Sequence, residues 1–351
     1  MYELLLALLA AVAVAAALLT APANAQACTR AVYLGDDGVV VTGRTMDWSE
    51  DIRSNLWVFP RGMQRDGAAG PRSVTWTAKY GSVIASGYDV GTADGLNEKG
   101  LAANLLYLAE SDYGTPGPGD KLLNIGAWAQ YALDNFATVA EAVAALSKNS
   151  FVVVAPHLPN GKASTLHLSL SDAGGDSAIF EYVAGKLVIH HDKKYQVMTN
   201  SPTFDQQLAL DTYWNTVGGG FLPGTSRAAD RFVRTAYYLA TLPRTGDTKQ
   251  ALAGIVGLMR SVSVPLGVSS PGEPNISPTR WRTFSDQKDL IYFFDSAMSP
   301  SLFWVKLANL DFSAGAPVKK LPLTDGGYFA GDAADKFVAT APFAVLPYDG
   351  K

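Results

Sequence analysis

At 351 residues, with 48% hydrophobic and 17% charged side chains, the chain can bury a large core and is too apolar to be disordered. Its 28 basic and 32 acidic residues leave a net charge of -4, without the clustered basic surface that a nucleic-acid partner calls for. A single cysteine, Cys28, rules out an intrachain disulfide.

The chain opens on an apolar run of Leu, Ala and Val over residues 4–20. Ala21-Pro22 breaks it, and small residues lead to Ala25-Gln26-Ala27. This pattern predicts a signal peptide over residues 1–27 and one exported domain over 28–351, periplasmic or secreted and without a membrane anchor. The opening Met1-Tyr2-Glu3 lacks Lys and Arg, and three alternatives stay open: an uncleaved anchor, cleavage after Ala25 with trimming, and lipidation at Cys28. Ala25, where a lipidation signal prefers Leu, counts against the last. Cleavage after Ala27 leaves Cys28 carrying both a thiol and a free α-amine, a nucleophile with its own base attached.

Residues 29–34 and 39–43 read as strands joined by the turn Gly35-Asp36-Asp37-Gly38, which returns residues 44–48 to the side of Cys28. Loops of two or three residues give different registers, so the register stays open. Arg44 and Asp47 are three apart, and aiming both at Cys28 requires a bulge or bend near Thr45. Short strands follow at 56–60, 75–77 and 82–86, then a turn at Asn97-Glu98-Lys99-Gly100 and an extended segment at 101–108. Beyond the loop at 115–120, helices are expected over 122–135 and from a capping box at Thr138 and Glu141 to 146. Strands return at 165–171, 178–183, 187–191 and 195–200. Helices follow at 227–241 and 248–260, and closing strands at 279–284, 290–295 and 302–312. This order suits stacked sheets with helices packed outside, in one domain and without internal repeats.

The four histidines show no metal-ligand spacing: His157 lies in a loop, His167 in an apolar strand, and His190 and His191 on opposite faces of another. No metal and no cofactor are expected. The motif around a papain-type cysteine is absent. Gly218-Gly219-Gly220 lacks the lysine of a phosphate-binding loop and reads as a plain loop, Asn275-Ile276-Ser277 fits a glycosylation sequon, and Glu50 and Asp51 suit a solvated face. By default Arg44 is a surface ion-pair residue and Asp47 a turn residue. Beside Cys28, an arginine favours the thiolate and loosens the proton on the amine, while a carboxylate such as Asp47 can orient that amine. The amine starts near about 7.7–8.0 and the thiol near about 8.5, so small adjustments serve at neutral pH.

Six blocks, in order, resemble the choloylglycine hydrolase family of penicillin V acylases and conjugated bile salt hydrolases. They are Cys28-Thr29-Arg30, Gly43-Arg44-Thr45-Met46-Asp47-Trp48, Asn97-Glu98-Lys99-Gly100-Leu101, Met198-Thr199-Asn200-Ser201-Pro202, Leu222-Pro223-Gly224 and Arg231-Phe232-Val233-Arg234. The resemblance spans nearly all of the chain after Cys28, and the exported Gram-negative branch of penicillin V acylases looks nearest. It implies an α+β fold, the four-layer αββα sandwich of N-terminal nucleophile hydrolases, and hydrolysis of a linear carbon–nitrogen amide. Carried over, Cys28 is the nucleophile, Arg44 and Arg231 flank its thiol, and Asp47 holds its amine. The Asn200 side-chain amide and the Tyr107 N–H would form the oxyanion hole, with Met46, Trp48 and Tyr107 against the substrate; core packing is the duller reading of Trp48. Bile salt hydrolases tend to carry Asn at the position of Tyr107 and penicillin acylases Tyr, so the resemblance points to penicillin V and, beside it, N-acyl homoserine lactones, with hydrolysis of conjugated bile salts as the alternative. It also implies a homotetramer with a small-molecule acyl amide as its partner. The rival from another class is a non-catalytic exported lipoprotein or binding protein on the same fold.

Overall fold

The computed structural model describes residues 28–350 apart from 162, 218–220, 269–276, 325–326 and 349. The leader, the glycine run at 218–220 and the first two sequon residues therefore lie outside the described residues.

Strands β1 (Thr29–Leu34) and β2 (Val40–Asp47) form the expected hairpin, with Asp37 and Gly38 at φ of 52° and 76° in its turn. Leu34 pairs with Val40 and Arg30 with Arg44, which settles the register. The pairing runs on to Thr29 and Thr45 without a bulge, so β2 is longer than expected and the bend near Thr45 does not exist. The irregularity lies on the other neighbour of β2, between Thr279 and Trp281.

A seven-stranded sheet runs in the order Val197–Met198, β1, β2, Thr279–Asp286, Ile291–Ser296, Phe303–Lys306 and Gly331–Asp332. A nine-stranded sheet has Ala102–Tyr107 near its middle, between Leu166–Ser171 and Gly91–Asn97. The sheets stack face to face, and polar pairs cross between them. Thr42 Oγ1 lies 2.8 Å from Ser171 Oγ, and the Tyr292 hydroxyl donates to Asp94 Oδ1 at 2.6 Å. Helices α1 (Ile125–Asn135) and α2 (Val139–Leu146) cover the nine-stranded sheet, where Trp128 and Leu133 pack with Ala103, Leu168 and Leu170. Beyond α3 (Phe204–Val217), helices α4 (Ala228–Thr241) and α5 (Thr248–Ser261) cover the seven-stranded sheet. Gly43 lets α5 approach β2 closely, since a Cβ there would stand 2.8 Å from Met259 Cγ. These layers make the α+β αββα sandwich.

Several expected boundaries are corrected. Leu122–Asn124 is a strand, because the Asn124 side chain accepts from the Gly126 N–H at 2.9 Å and fixes the start of α1. In the expected strand at 195–200 only Val197–Met198 pairs. The last long strand ends at Lys306, opposite Ile291: the Leu307 N–H still meets the Leu290 carbonyl at 3.0 Å, but Leu290 lies at φ 53° and Leu307–Asn309 wind into a short 3-10 turn. Helix α3 was not legible because it buries only Phe204 and Gln207 and so carries no apolar stripe. At α2 the Thr138 hydroxyl accepts from the Glu141 N–H at 3.2 Å, but Glu141 reaches back to the Ala137 N–H, one residue earlier than a capping box requires. Among the described residues no helix is long and apolar enough to cross a membrane.

Candidate active site

Cys28 stands at the head of β1, buried, where both faces of the seven-stranded sheet can reach it. This position answers the odd spacing of Arg44 and Asp47. Alternate residues of β2 point to opposite faces, so Arg44 and Met46 approach from between the sheets while Thr45 and Asp47 approach from the helix side.

Between the sheets, Arg44 Nη2 donates to the Leu105 carbonyl at 2.8 Å, and the guanidinium stacks 4.6 Å from the Trp281 ring centroid. Its Nε and Nη1 are buried without a hydrogen-bond partner among the described residues. Arg44 is fully buried, far from the surface ion-pair residue of its default reading.

On the helix side, Asp47 Oδ1 accepts from Thr279 Oγ1 at 2.6 Å and Oδ2 from Thr45 Oγ1 at 3.2 Å. Arg231, carried by α4, places Nη1 3.8 Å from Asp47 Oδ2 and donates from it to the Cys28 carbonyl at 2.7 Å and to the Thr29 hydroxyl. The other Arg231 nitrogen, Nη2, donates to Asn200 Oδ1 at 2.9 Å. The Cys28 N–H donates to that same oxygen at 2.5 Å, so the direct partner of the Cys28 nitrogen here is Asn200. Asn200 Nδ2 donates across to the Tyr107 carbonyl at 2.6 Å.

Tyr107 ends its strand where one edge is open. The Leu108 N–H goes to Thr165, and pairing with the strand on the opposite edge stops at Asp94 and Asn104. In an antiparallel strand a residue's N–H and C=O point to the same edge. The Tyr107 N–H therefore faces the side on which its carbonyl meets Asn200.

Burial governs the electrostatics. It pushes the Cys28 thiol up from its ordinary pKa, against the pull of Arg44 and Arg231, so the expected preference for thiolate is outweighed. Burial likewise pushes Asp47 up to about 6, in spite of Arg231 beside it, and lowers Arg231. A thiol held protonated in this way needs a base to activate it.

Cys28, Arg44, Met46, Trp48, Leu105 and Tyr107 line one cavity of about 100 Å³. All the residues singled out from the sequence thus meet here, with Asp47, Asn200 and Arg231 packed behind Cys28. Sequence reasoning missed Tyr88, Ile125 and Leu158 on the cavity wall. Tyr88 accepts from Trp48 Nε1 at 2.8 Å and donates to Glu50 at 2.5 Å. It sits with Asp89 at φ of 54° and 52°, a strained turn without glycine at either position that only the surrounding bonds hold. Asp89 supplies those bonds, accepting from Asn55, Trp57 and Lys320 at 2.7–2.8 Å.

A buried cysteine, two arginines and an amide donor around an apolar cavity are the equipment of an acyl-transfer hydrolase. Residues 28–320 match the model of the choloylglycine hydrolase family, described as linear amide C–N hydrolases. The chain is 50% identical over 343 residues to a penicillin V acylase of Pectobacterium atrosepticum, covering 90% of this chain and 91% of that one. It is 26% identical over 318 residues to a bile salt hydrolase/transferase of Bifidobacterium longum, covering 82% of this chain and 97% of the other. Among solved structures, penicillin V acylase from Agrobacterium tumefaciens superposes with a TM-score of 0.86 at 54% identity, over 92% of this chain and all of that one. The conjugated bile acid hydrolase of Clostridium perfringens shares the fold, with a TM-score of 0.71 at 22% identity over 84% of this chain and 96% of that one. The chain belongs to the choloylglycine hydrolase family and is a hydrolase of linear amides.

Because Asp47 has a raised pKa in the folded state, its contribution to stability is present below its ordinary pKa and lost as pH rises through about 6. The unfolding free energy of the wild type minus that of Asp47→Asn should fall by roughly 2–3 kcal/mol between about pH 4 and pH 8. Denaturant unfolding at a series of pH values measures it, and a flat or rising difference contradicts the assignment.

Proposed function

We propose that the chain is exported, loses residues 1–27, and hydrolyses penicillin V with Cys28 as an N-terminal nucleophile. The observation that carries this reading is the placement of the Cys28 nitrogen on Asn200 Oδ1, beside a thiol that burial keeps protonated. With that nitrogen freed as an amine, it takes the thiol proton and the Sγ electron pair attacks the amide carbonyl. The oxyanion that forms is received by the Tyr107 N–H and by the Asn200 Nδ2 proton not committed to the Tyr107 carbonyl. Losing one such donor typically costs about 10²–10³ in rate. Collapse returns the proton from the ammonium to the leaving amine and leaves a thioester on Cys28. Water, deprotonated by the same α-amine, then attacks the thioester carbonyl; the C–S bond breaks, the carboxylic acid leaves, and the ammonium returns its proton to Sγ. Arg231, braced by Asp47, holds the Cys28 carbonyl and Asn200 in register, and Arg44 offers Nε and Nη1, which have no partner among the described residues, towards the polar part of the substrate.

Export is supported by the leader pattern and by a family match that begins at Cys28. A free α-amine separates this reading from a lipidated, non-catalytic binding protein, in which the amine would be acylated. The homotetramer is supported by the apolar side chains that α3 and α4 leave exposed, among them Tyr213, Val217 and Tyr237.

The lining of the cavity supports an aromatic or fatty acyl group as the substrate's acyl part. Met46, Trp48, Tyr88, Leu105 and Tyr107 give it an apolar and aromatic wall, and Arg44 is the one basic residue among the described residues that line it. Burying a phenoxy ring there stabilises the complex by roughly 1.5–3 kcal/mol. An apolar and aromatic wall of this kind suits an aromatic ring or an acyl chain. The similarity to named penicillin V acylases, at 50% and 54% identity, points the same way.

A form carrying Met-Gly-Ser ahead of Cys28 should be inactive and should gain activity when a protease exposes Cys28. Cys28→Ala should stay folded and silent after the same treatment. Activity of the uncut form, or of Cys28→Ala, within about tenfold of the mature wild type removes the N-terminal mechanism. On one preparation kcat/KM should fall in the order penicillin V and long-chain N-acyl homoserine lactones, then penicillin G, then glycocholate and taurocholate. A conjugated bile salt ahead of both penicillin V and the acyl lactones overturns Tyr107 as a mark of specificity.

A further inference from the structure

His167 lies fully buried in the strand Leu166–Ser171, outside the cavity, and nothing in the reaction above uses it. Its Nε2 is 2.9 Å from the Thr199 carbonyl oxygen and its Nδ1 is 2.9 Å from Glu181 Oε1. A carbonyl oxygen only accepts, so Nε2 must carry a proton. Nδ1 then faces a carboxylate, and a hydrogen bond there requires a proton on Nδ1 or on Glu181. The surroundings of Glu181 favour its ionised form. The Phe204 N–H, at the N-terminus of α3, points at both carboxylate oxygens from 3.1 and 3.2 Å, and His190 Nε2 lies 3.6 Å from Oε2. Burial raises the Glu181 pKa, but hydrogen bonds from His167, His190 and the Phe204 N–H outweigh it and hold the carboxyl below its ordinary range. Two further charged groups stand near this cluster: Asp205, whose Oδ1 lies 3.5 Å from His190 Nδ1, and the buried Arg30 guanidinium, which donates to the Leu170 carbonyl and the Ser177 hydroxyl on the strands that carry His167 and Glu181.

Thr199 directly precedes Asn200, and both residues are gripped elsewhere as well. The Thr199 hydroxyl donates to Gln207 Oε1 at 2.9 Å or to the Ala228 carbonyl at 3.0 Å, and Gln207 Nε2 donates to the Asn200 carbonyl. Gln207 is carried by α3, whose first turn Glu181 caps. One carboxylate therefore anchors both the imidazole that holds Thr199 and the helix that holds Asn200.

We propose that His167 is a positioning residue: as a doubly protonated imidazolium, clamped between Glu181 and the Thr199 carbonyl, it fixes the Asn200 amide that meets Cys28 and Tyr107. The proposal rests on the reading that Asn200 serves the reaction at Cys28. A neutral ring satisfies only one of its two acceptors and leaves the other buried and short of a donor. Asn200 would then lose one of the restraints that aim both ends of its side chain.

The test has two arms. In the mature wild type, 15N–1H correlation spectra of the histidine side chains should show His167 with protons on both ring nitrogens at neutral pH, assigned by their loss in His167→Phe or, should that variant not fold, in His167→Gln. A bare nitrogen on His167 at neutral pH overturns the proposal. This arm needs no substrate, so it stands even if the wild type fails to hydrolyse penicillin V, a result that would instead sink the proposed function. In the second arm, His167→Gln should lower kcat on penicillin V by about 10–100-fold with KM within about threefold, because a misplaced catalytic group costs turnover more than binding. An unchanged kcat, or a loss confined to KM, overturns the proposal.

Discussion

One side-chain amide ties the site together. Asn200 Oδ1 accepts from the Cys28 nitrogen at 2.5 Å and from Arg231 Nη2 at 2.9 Å, while its Nδ2 crosses to the Tyr107 carbonyl at 2.6 Å. Three elements that are far apart in sequence meet on that group: the head of β1, helix α4, and the open edge of the nine-stranded sheet. An amide suits the position because it accepts on one side and donates on the other without charge. A carboxylate there could not donate to Tyr107, and an ammonium could not accept from Arg231.

Around this node the sandwich keeps charge out of water, and desolvation sets the resting state of the site. Arg44, Asp47 and Arg231 are all fully buried. Burial moves the thiol and the Asp47 carboxyl towards their neutral forms despite two cations nearby, so proximity to arginine does not by itself make a thiolate. Buried ion pairs at best offset their own desolvation. What this arrangement supplies is direction: Arg231 joins the Cys28 carbonyl, Asp47 and Asn200 in one fork, and Arg44, at the cavity, keeps two nitrogens without a partner among the described residues.

Much of this was legible in the sequence, for identifiable reasons. The β1–β2 hairpin follows from a turn bounded by Gly35 and Gly38 between the strand-forming stretches Thr29 to Leu34 and Val39 to Thr42, and the capped start of α2 from Thr138. The site residues follow from short blocks of fixed composition, above all Gly43 to Trp48 and Met198 to Pro202. The expected bend near Thr45 failed because it assumed that one face of β2 serves Cys28. A residue at the head of a strand can be approached from both faces. The position of Tyr88 could not be read, because its left-handed backbone is held by Asp89 and by partners from distant strands rather than by local sequence. Helix α3 was hidden for the opposite reason: it rides on the surface, and its register is set by Glu181 and Gln207 instead of by an apolar stripe.

The most direct measurement is to find where the acyl group goes. The mature protein, mixed with penicillin V and quenched in acid so that the α-amine stays protonated, is digested and mapped by mass spectrometry. The account predicts an N-terminal peptide that begins at Cys28 and carries the phenoxyacetyl group on that residue alone. An active preparation whose adduct sits on another side chain, or whose Cys28 is still joined to Ala27, would contradict it.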